Sequence, residues 1–207
     1  MAKITLFDSI VREYIGPQLK AAGFRKSKST WNRTADSLVH VIDAQESRWS
    51  GSDETAFTLN IGVMVRPVER ILWGKEPPKV VPGSACFPRF RIGYLPGVEH
   101  GQDLWWKLRS VAEVEHVGAE VVDLIHAKCL PLLDDCQSIP DALELADGVD
   151  QWKQPAEKLA LAVLMCLAGQ KDAGQAMLDD LEADPKLKGW HPRISGTRTR
   201  LPSYMAH

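Results

Sequence analysis

The residues that could do chemistry are few, and most lack the neighbours that chemistry needs. Glu113, His116 and Glu120 stand at i, i+3 and i+7 and share one face of a helix. That spacing could supply ligands to a zinc or di-iron site. The face lies opposite a valine stripe, where solvated charges belong, and no HExxH or paired ExxH motif accompanies it. No metal and no cofactor is expected. Cys86, Cys129, Cys136 and Cys166 form no CxxC pair, so they read as free structural thiols of a reducing compartment. Cys86, in a Pro/Gly-rich loop, lies outside any helical pattern, but nothing local offers the base that a nucleophile requires. His40 alternates with Leu38 and Ile42 and reads as a half-buried strand histidine. There is no GxSxG, no GxxxxGK[ST], and no GxGxxG following a strand. No catalytic residue is assigned, and the balance is against an enzyme.

Binding chemistry has better material. In "FTLNIGVMV", residues 57–65, alternation puts Phe57, Leu59, Ile61, Val63 and Val65 on one face and Thr58, Asn60, Gly62 and Met64 on the other. That second face meets solvent, meets a helix closely, or holds a ligand, with solvent or a helix the plainer expectation. "RFRIGYL", residues 89–95, repeats the design, with Arg89, Arg91 and Gly93 opposite Phe90, Ile92 and Tyr94. Asn60 and Thr58 would offer hydrogen bonds, and Arg89 and Arg91 would bind a carboxylate or phosphate. Gly62 and Gly93 would let a ligand approach the backbone. Trp49, in the polar stretch "RWSGSDET", is a candidate exposed aromatic. Trp105 and Trp106 precede a long helix, where adjacent side chains point apart, so one packs inside and the other covers an edge or a contact surface. Arg25, Lys26, Lys28, Arg33, Arg89 and Arg91 with Trp31 could make a basic sheet for single strands. The net charge of −2 speaks against a dedicated nucleic-acid binder.

The elements that must position these residues follow from periodicity. An N-terminal helix over about 6–22 carries Leu6, Ile10, Tyr14 and Leu19, with a kink or break expected at Gly16-Pro17. Three strands follow, "FRKSKSTWNR", "LVHVIDAQES" and "AFTLNIGVMV", with a turn at "TADS", then a fourth at 89–95; short connections make them an antiparallel meander. Five prolines within residues 66–88 leave no room there for a regular element. A long helix over 110–132 precedes a short one near 139–146. "PAEKLALAVLMCLAG" and "DAGQAMLDDLEAD" read as a helical hairpin, which must dock on the body or a partner. Residues 186–207 read as a basic tail with weak structural signals.

The chain of 207 residues, 44% hydrophobic and 25% charged, affords a core without staples. The expected organisation is an α+β domain at 1–148, the docked hairpin at 149–185, and the tail. Charge is segregated: residues 1–33 are basic, 129–152 carry six acids and no Lys or Arg, and basic residues return after 184. Segments of opposite sign are expected to neighbour each other or face water. No run approaches a membrane span and the N-terminus lacks a signal peptide's apolar core, so a cytoplasmic protein is expected.

"LKAAGFRKSKSTWNR", the strand containing Gln45, "FTLNIGV", "RFRIGYL" and "DLWW" occur in an order and spacing that resembles the bacterial family called domain of unknown function 4304, over about residues 5–145. The matching positions include Leu19, Lys20, Gly23, Phe24, Trp31, Gln45, Phe57, Thr58, Asn60, Gly62, Arg91, Gly93, Trp105 and Trp106. The resemblance implies an α+β domain with an antiparallel sheet and no established activity. Gln45 thereby joins Asn60, Thr58, Arg89, Arg91 and Trp49 as candidates for binding a ligand or partner. The expected fold is α+β: a four-stranded antiparallel sheet against the N-terminal and long helices, with a C-terminal helical hairpin. The expected function is a non-enzymatic interaction protein, immunity- or regulator-like, with a possible protein partner. The alternative is a small-ligand binder or enzyme acting on an anionic ligand at the polar sheet face.

Overall fold

The strand Thr55–Val65 organises the molecule, because it is paired along both edges and buries side chains on both faces. The computed structural model describes residues 5–51, 54–95, 98, 103–147 and 154–205. The chain opens with helix α1 (residues 6–21), continues through strands β1 (Arg25–Ser27), β2 (Thr30–Ala35), β3 (Leu38–Glu46) and β4 (Thr55–Val65), and turns into helix α2 (Arg66–Trp73). Two short strands, β5 (Arg89–Arg91) and β6 (Trp106–Leu108), precede the long helix α3 (residues 114–135). Helices α4 (Ile139–Asp147), α5 (Pro155–Leu167), α6 (Lys171–Ala183), α7 (His191–Arg200) and α8 (Pro202–Met205) complete it. Among the described residues no helix is long and apolar enough to cross a membrane.

The sheet runs in the order β1-β2-β3-β4-β5, every neighbouring pair antiparallel, as a meander requires. It has six strands rather than the four expected. The first expected strand is a hairpin, split at Lys28, whose φ of 57° makes the turn. The other addition is β6, which pairs with residues 55–57 of β4 while β5 pairs with residues 60–62, so two short strands share one edge. The turn expected at "TADS" is present, with Asp36 at φ 48°.

Helix α1 begins with a reciprocal cap: the Asp8 amide donates to Thr5 Oγ1 at 3.0 Å, and the Thr5 amide to Asp8 Oδ2 at 3.2 Å. Pro17 does not break the helix. A π turn, Ile10–Ile15, precedes it, and the Gly16 amide reaches back five residues to the Val11 carbonyl. Helix α3 repeats the device ahead of Pro131, with a π turn at Ile125–Cys129 and the Leu130 amide bonded to the Ile125 carbonyl. Widening the turn relieves the clash that a proline ring makes with the carbonyl four residues back. The two helices cross closely at Gly118, where a Cβ would come within 2.4 Å of the Tyr14 ring.

One face of the sheet and these helices make the main core. Trp31, Leu38, Ile42, Phe57, Leu59, Ile61 and Val63 join Ile10, Ile15 and Leu19 of α1 and Val121, Ile125 and Leu133 of α3. The opposite face carries a small second core, in which Val39, Val41 and Met64 meet Val81 and Cys86 of the proline-rich loop. That loop is shorter than expected, because residues 66–73 form α2. Pro67 sits in its first turn, where the missing N–H costs nothing, and the loop proper begins at Gly74.

The C-terminal region is fully helical. α5 and α6 form an antiparallel pair, and α5 also packs on α2 and α4. The stretch expected to be a weakly structured tail folds as α7 and α8. Ile194 and Leu201 are buried, and Arg200 donates to the carbonyls of Ile71 and Leu72 at 2.6 and 3.1 Å, satisfying the end of α2.

A buried relay ties the sheet to α3. His40 is fully buried, more so than expected of a strand histidine. Its Nδ1 accepts from Arg33 Nη2 at 3.1 Å, because a guanidinium has only donors, so Nε2–H donates to the Cys136 carbonyl at 2.7 Å. Arg33 also binds Asp134 at 2.6 Å, so the basic N-terminal and acidic 129–152 segments do meet. Burial pushes the His40 pKa below its usual value, and Arg33 adds to this against the opposing Cys136 carbonyl.

Two predictions follow from this packing. At Gly62 a Cβ would lie 2.6 Å from Cys86 Cβ and 3.1 Å from the Pro88 carbonyl, so Gly62→Ala should lower the stability measured by urea denaturation by about 1–3 kcal/mol. The His40 pKa is lower in the folded chain than its ordinary value of about 6.5, so as pH falls the unfolded chain takes up this proton first. Stability should therefore fall as pH drops from 7.5 through 6.5 toward 5.5, by at most about 1.4 kcal/mol per pH unit. His40→Gln should flatten that slope; an unchanged slope would assign it to other groups.

Candidate functional site

Register places one line of polar side chains across four strands on the outer face of the sheet. Thr30 is opposite Asp43, Asp43 is opposite Asn60, and Asn60 is opposite Arg91. In the next line Arg89 faces Gly62, and in the line on the other side Gln45 faces Thr58. From these lines Asp43, Gln45, Asn60, Arg89 and Arg91 floor an open pocket of about 440 Å³, walled by Pro82, Gly83 and Ser84 of the loop, Tyr94, and Glu157 of α5.

Each polar group has a defined state. Thr30 Oγ1 donates to Asp43 Oδ1 at 2.5 Å. Asn60 Nδ2 donates to Gln45 Oε1 at 2.9 Å, which leaves the Asn60 amide oxygen and the Gln45 amide nitrogen without a hydrogen bond among the described residues. Arg91 is clamped: it is ion-paired with Asp103, and its guanidinium lies 5.0 Å from the centre of the Trp105 ring. Burial works against the Asp103 carboxylate, but hydrogen bonds from Arg91 and Trp105 outweigh it and hold its pKa below the ordinary value. Arg89 is freer. Its side chain is 48% exposed, and Glu157 approaches only to 3.9 Å, beyond hydrogen-bonding distance.

A second, more apolar cleft of about 560 Å³ opens from the first, between α2, the loop and α5. Val68, Leu72, Phe87 and Ala160 line it, and Pro82, Ser84, Arg89 and Glu157 belong to both. At its rim Trp73 Nε1 donates to Glu69 at 3.1 Å; burial raises the Glu69 pKa against that bond.

Of the residues singled out in the sequence, Gln45, Asn60, Arg89 and Arg91 converge in the pocket. Thr58 does not line it: the side chain is fully buried, and its hydroxyl has no hydrogen-bond partner among the described residues. Trp49 is 95% exposed, on the loop between β3 and β4, and lies outside the pocket. "RFRIGYL" is a strand only over Arg89–Arg91. Ile92–Tyr94 is a 3-10 turn, which swings Tyr94 outward onto the pocket and takes Gly93 off the sheet face. The tryptophan pair stands on and beside β6 rather than at a helix start. Trp106 is buried and stacked on Phe57 at 5.3 Å, and Trp105 receives Arg91. Asp43 was legible, since it shares a strand face with Gln45; Glu157 was not, being brought in by a helix with no local signal.

The groups weighed for catalysis lie elsewhere or are inert. Cys86 lines the apolar cleft but is buried, and burial pushes its thiol far above the usual range; Cys129 and Cys136 are pushed up to about 12. All four cysteines are free. His116 and Glu120 are exposed on α3, and among the described residues no cluster of His, Cys, Asp or Glu could hold a metal ion.

The family model described as Domain of unknown function (DUF4304) matches residues 15–135, more than half of the chain. The match takes in the polar line from Thr30 to Arg91 and ends before Glu157. No curated protein and no solved structure matches the chain. On the extent of that family match, the chain belongs to the family of the domain of unknown function DUF4304.

Proposed function

We propose that this chain is a non-enzymatic binding protein whose outer sheet face holds the anionic group of a ligand. The observation that carries the reading is Arg89, a half-exposed guanidinium at the junction of a polar and an apolar cleft, with one loosely placed carboxylate partner. A guanidinium so placed pairs with carboxylate or phosphate in a bidentate fork. Arg91 supports it from the side, already oriented by Asp103 and Trp105. The lining brings together Asp43, Gln45, Asn60, Glu157 and two arginines, a set of charged and amide groups suited to holding a polar ligand. The reading places the protein in the cytoplasm, which four unpaired thiols support.

A second reading, contact with a protein partner, rests on Trp49, which is 95% exposed at the end of the β3–β4 hairpin. Exposed aromatics of this kind anchor interfaces.

The two readings are separated by variants. Calorimetric titration with inorganic phosphate, citrate and a panel of small mono- and dicarboxylates should find a ligand whose affinity falls tenfold or more in Arg89→Ala. Arg109→Ala, which removes an exposed arginine paired with Glu54, should leave it unchanged. Binding indifferent to Arg89 would overturn the site. For the second reading, a stoichiometric protein partner should be retained by wild type and Arg89→Ala and lost by Trp49→Ala; equal retention by Trp49→Ala would remove that reading.

A further inference from the structure

We infer that the pocket is bipolar and takes a small zwitterion of amino-acid or dipeptide size, its carboxylate toward β5 and its ammonium toward β3. The inference rests on the pocket being a binding site and adds a second pole to it. The lining carries both signs, with Asp43 and Glu157 against Arg89 and Arg91, and since Arg91 is already paired with Asp103 the groups left for a ligand are the carboxylate of Asp43 and the loosely held guanidinium of Arg89. The charges are also separated. Asp43 and Arg91 face Asn60 from its two sides, one on β3 and one on β5. Two strand spacings put their backbones about 10 Å apart.

The two poles are left incomplete in a matched way. Asp43 receives a hydroxyl hydrogen bond from Thr30 but has no ion pair among the described residues. At the other end Arg89 has only Glu157, at 3.9 Å. A ligand with a single charge satisfies one of these groups and leaves the other, whereas a zwitterion satisfies both. Asn60, between Asp43 and Arg91, offers its amide oxygen as an acceptor, and Gln45, two residues along β3 from Asp43, offers its amide nitrogen as a donor; together they match the N–H and C=O of a peptide unit. A volume of about 440 Å³ lies within the range of small-molecule sites.

The test uses the full chain and a ladder of charge separation: glycine, β-alanine, 4-aminobutyrate, 6-aminohexanoate, glycylglycine and alanylalanine, titrated by calorimetry. Each is compared with its N-acetyl form, which keeps only the anion, and its amide, which keeps only the cation. Affinity should peak within the ladder rather than rise or fall throughout, and loss of either charge from the best ligand should weaken binding tenfold or more. Asp43→Asn keeps the acceptor for Thr30. It should cost the zwitterion tenfold and leave the N-acetyl form within twofold, while Arg89→Gln should do the same for the amide. An N-acetyl form that binds as tightly as its parent would overturn the zwitterion and leave the anion site standing. Absence of binding by every member of the ladder, to protein with an unchanged circular dichroism spectrum, would also overturn it. The phosphate and carboxylate titration decides the broader reading separately.

Discussion

The outer face of this protein depends on one close approach. Beside Gly62, β4 has no side chain, and the proline-rich loop lies against the backbone there, held by Val63 N–H to the Pro88 carbonyl at 2.9 Å and Phe87 N–H to the Val63 carbonyl at 2.9 Å. The loop seals one half of the face with Val81 and Cys86 and thereby becomes the wall of the other half. A side chain at that position would lift the loop, and pocket and second core would lose their shape together. The face is therefore half core and half cavity, with a single strand serving both.

The inner face is held by different means. Burial of apolar side chains supplies the bulk of the driving force, but it is indifferent to how α3 ends. The Arg33–His40 relay sets that end, since its donors and acceptors are taken up by partners that come from α1's C-terminal turn, β3 and the end of α3. Opposite charges that look segregated along the chain are reunited there, and again between α6 and α7, where Arg198 lies against Asp179 and Glu182.

The sequence was most informative where one physical rule acts alone. Alternation over residues 57–65 is enough to orient β4, since an apolar face that good has only one way to be buried. It was least informative where tertiary contacts override a local rule. Lys28 adopts a positive φ that its side chain does not advertise, so a hairpin reads as one strand. Prolines in residues 66–88 hide α2, because Pro67 falls in the one turn of a helix that tolerates it. The basic C-terminal stretch looks unstructured until Arg200 finds the carbonyls of α2. Four of the pocket's residues were visible as a polar strand face; the pocket itself required Tyr94 to be turned outward by a 3-10 turn and Glu157 to be delivered by α5.

The two π turns do more than accommodate prolines. In α1 the residues Phe7, Val11, Ile15 and Leu19 are all buried, and in α3 so are Val117, Val121, Ile125, Cys129 and Leu133. Both series advance by four, and in a regular α-helix each step of four overshoots a full turn by about 40°. Over a whole helix that drift would carry one end of the series out toward water. A turn with more residues in it takes up the excess, so each helix keeps one straight seam against the sheet from end to end. Each π turn thus acts as a phase correction, holding one extra residue in nearly the rotation of a regular turn, so removing a single residue from it would restore a plain α-helix and leave the two halves close to their present alignment.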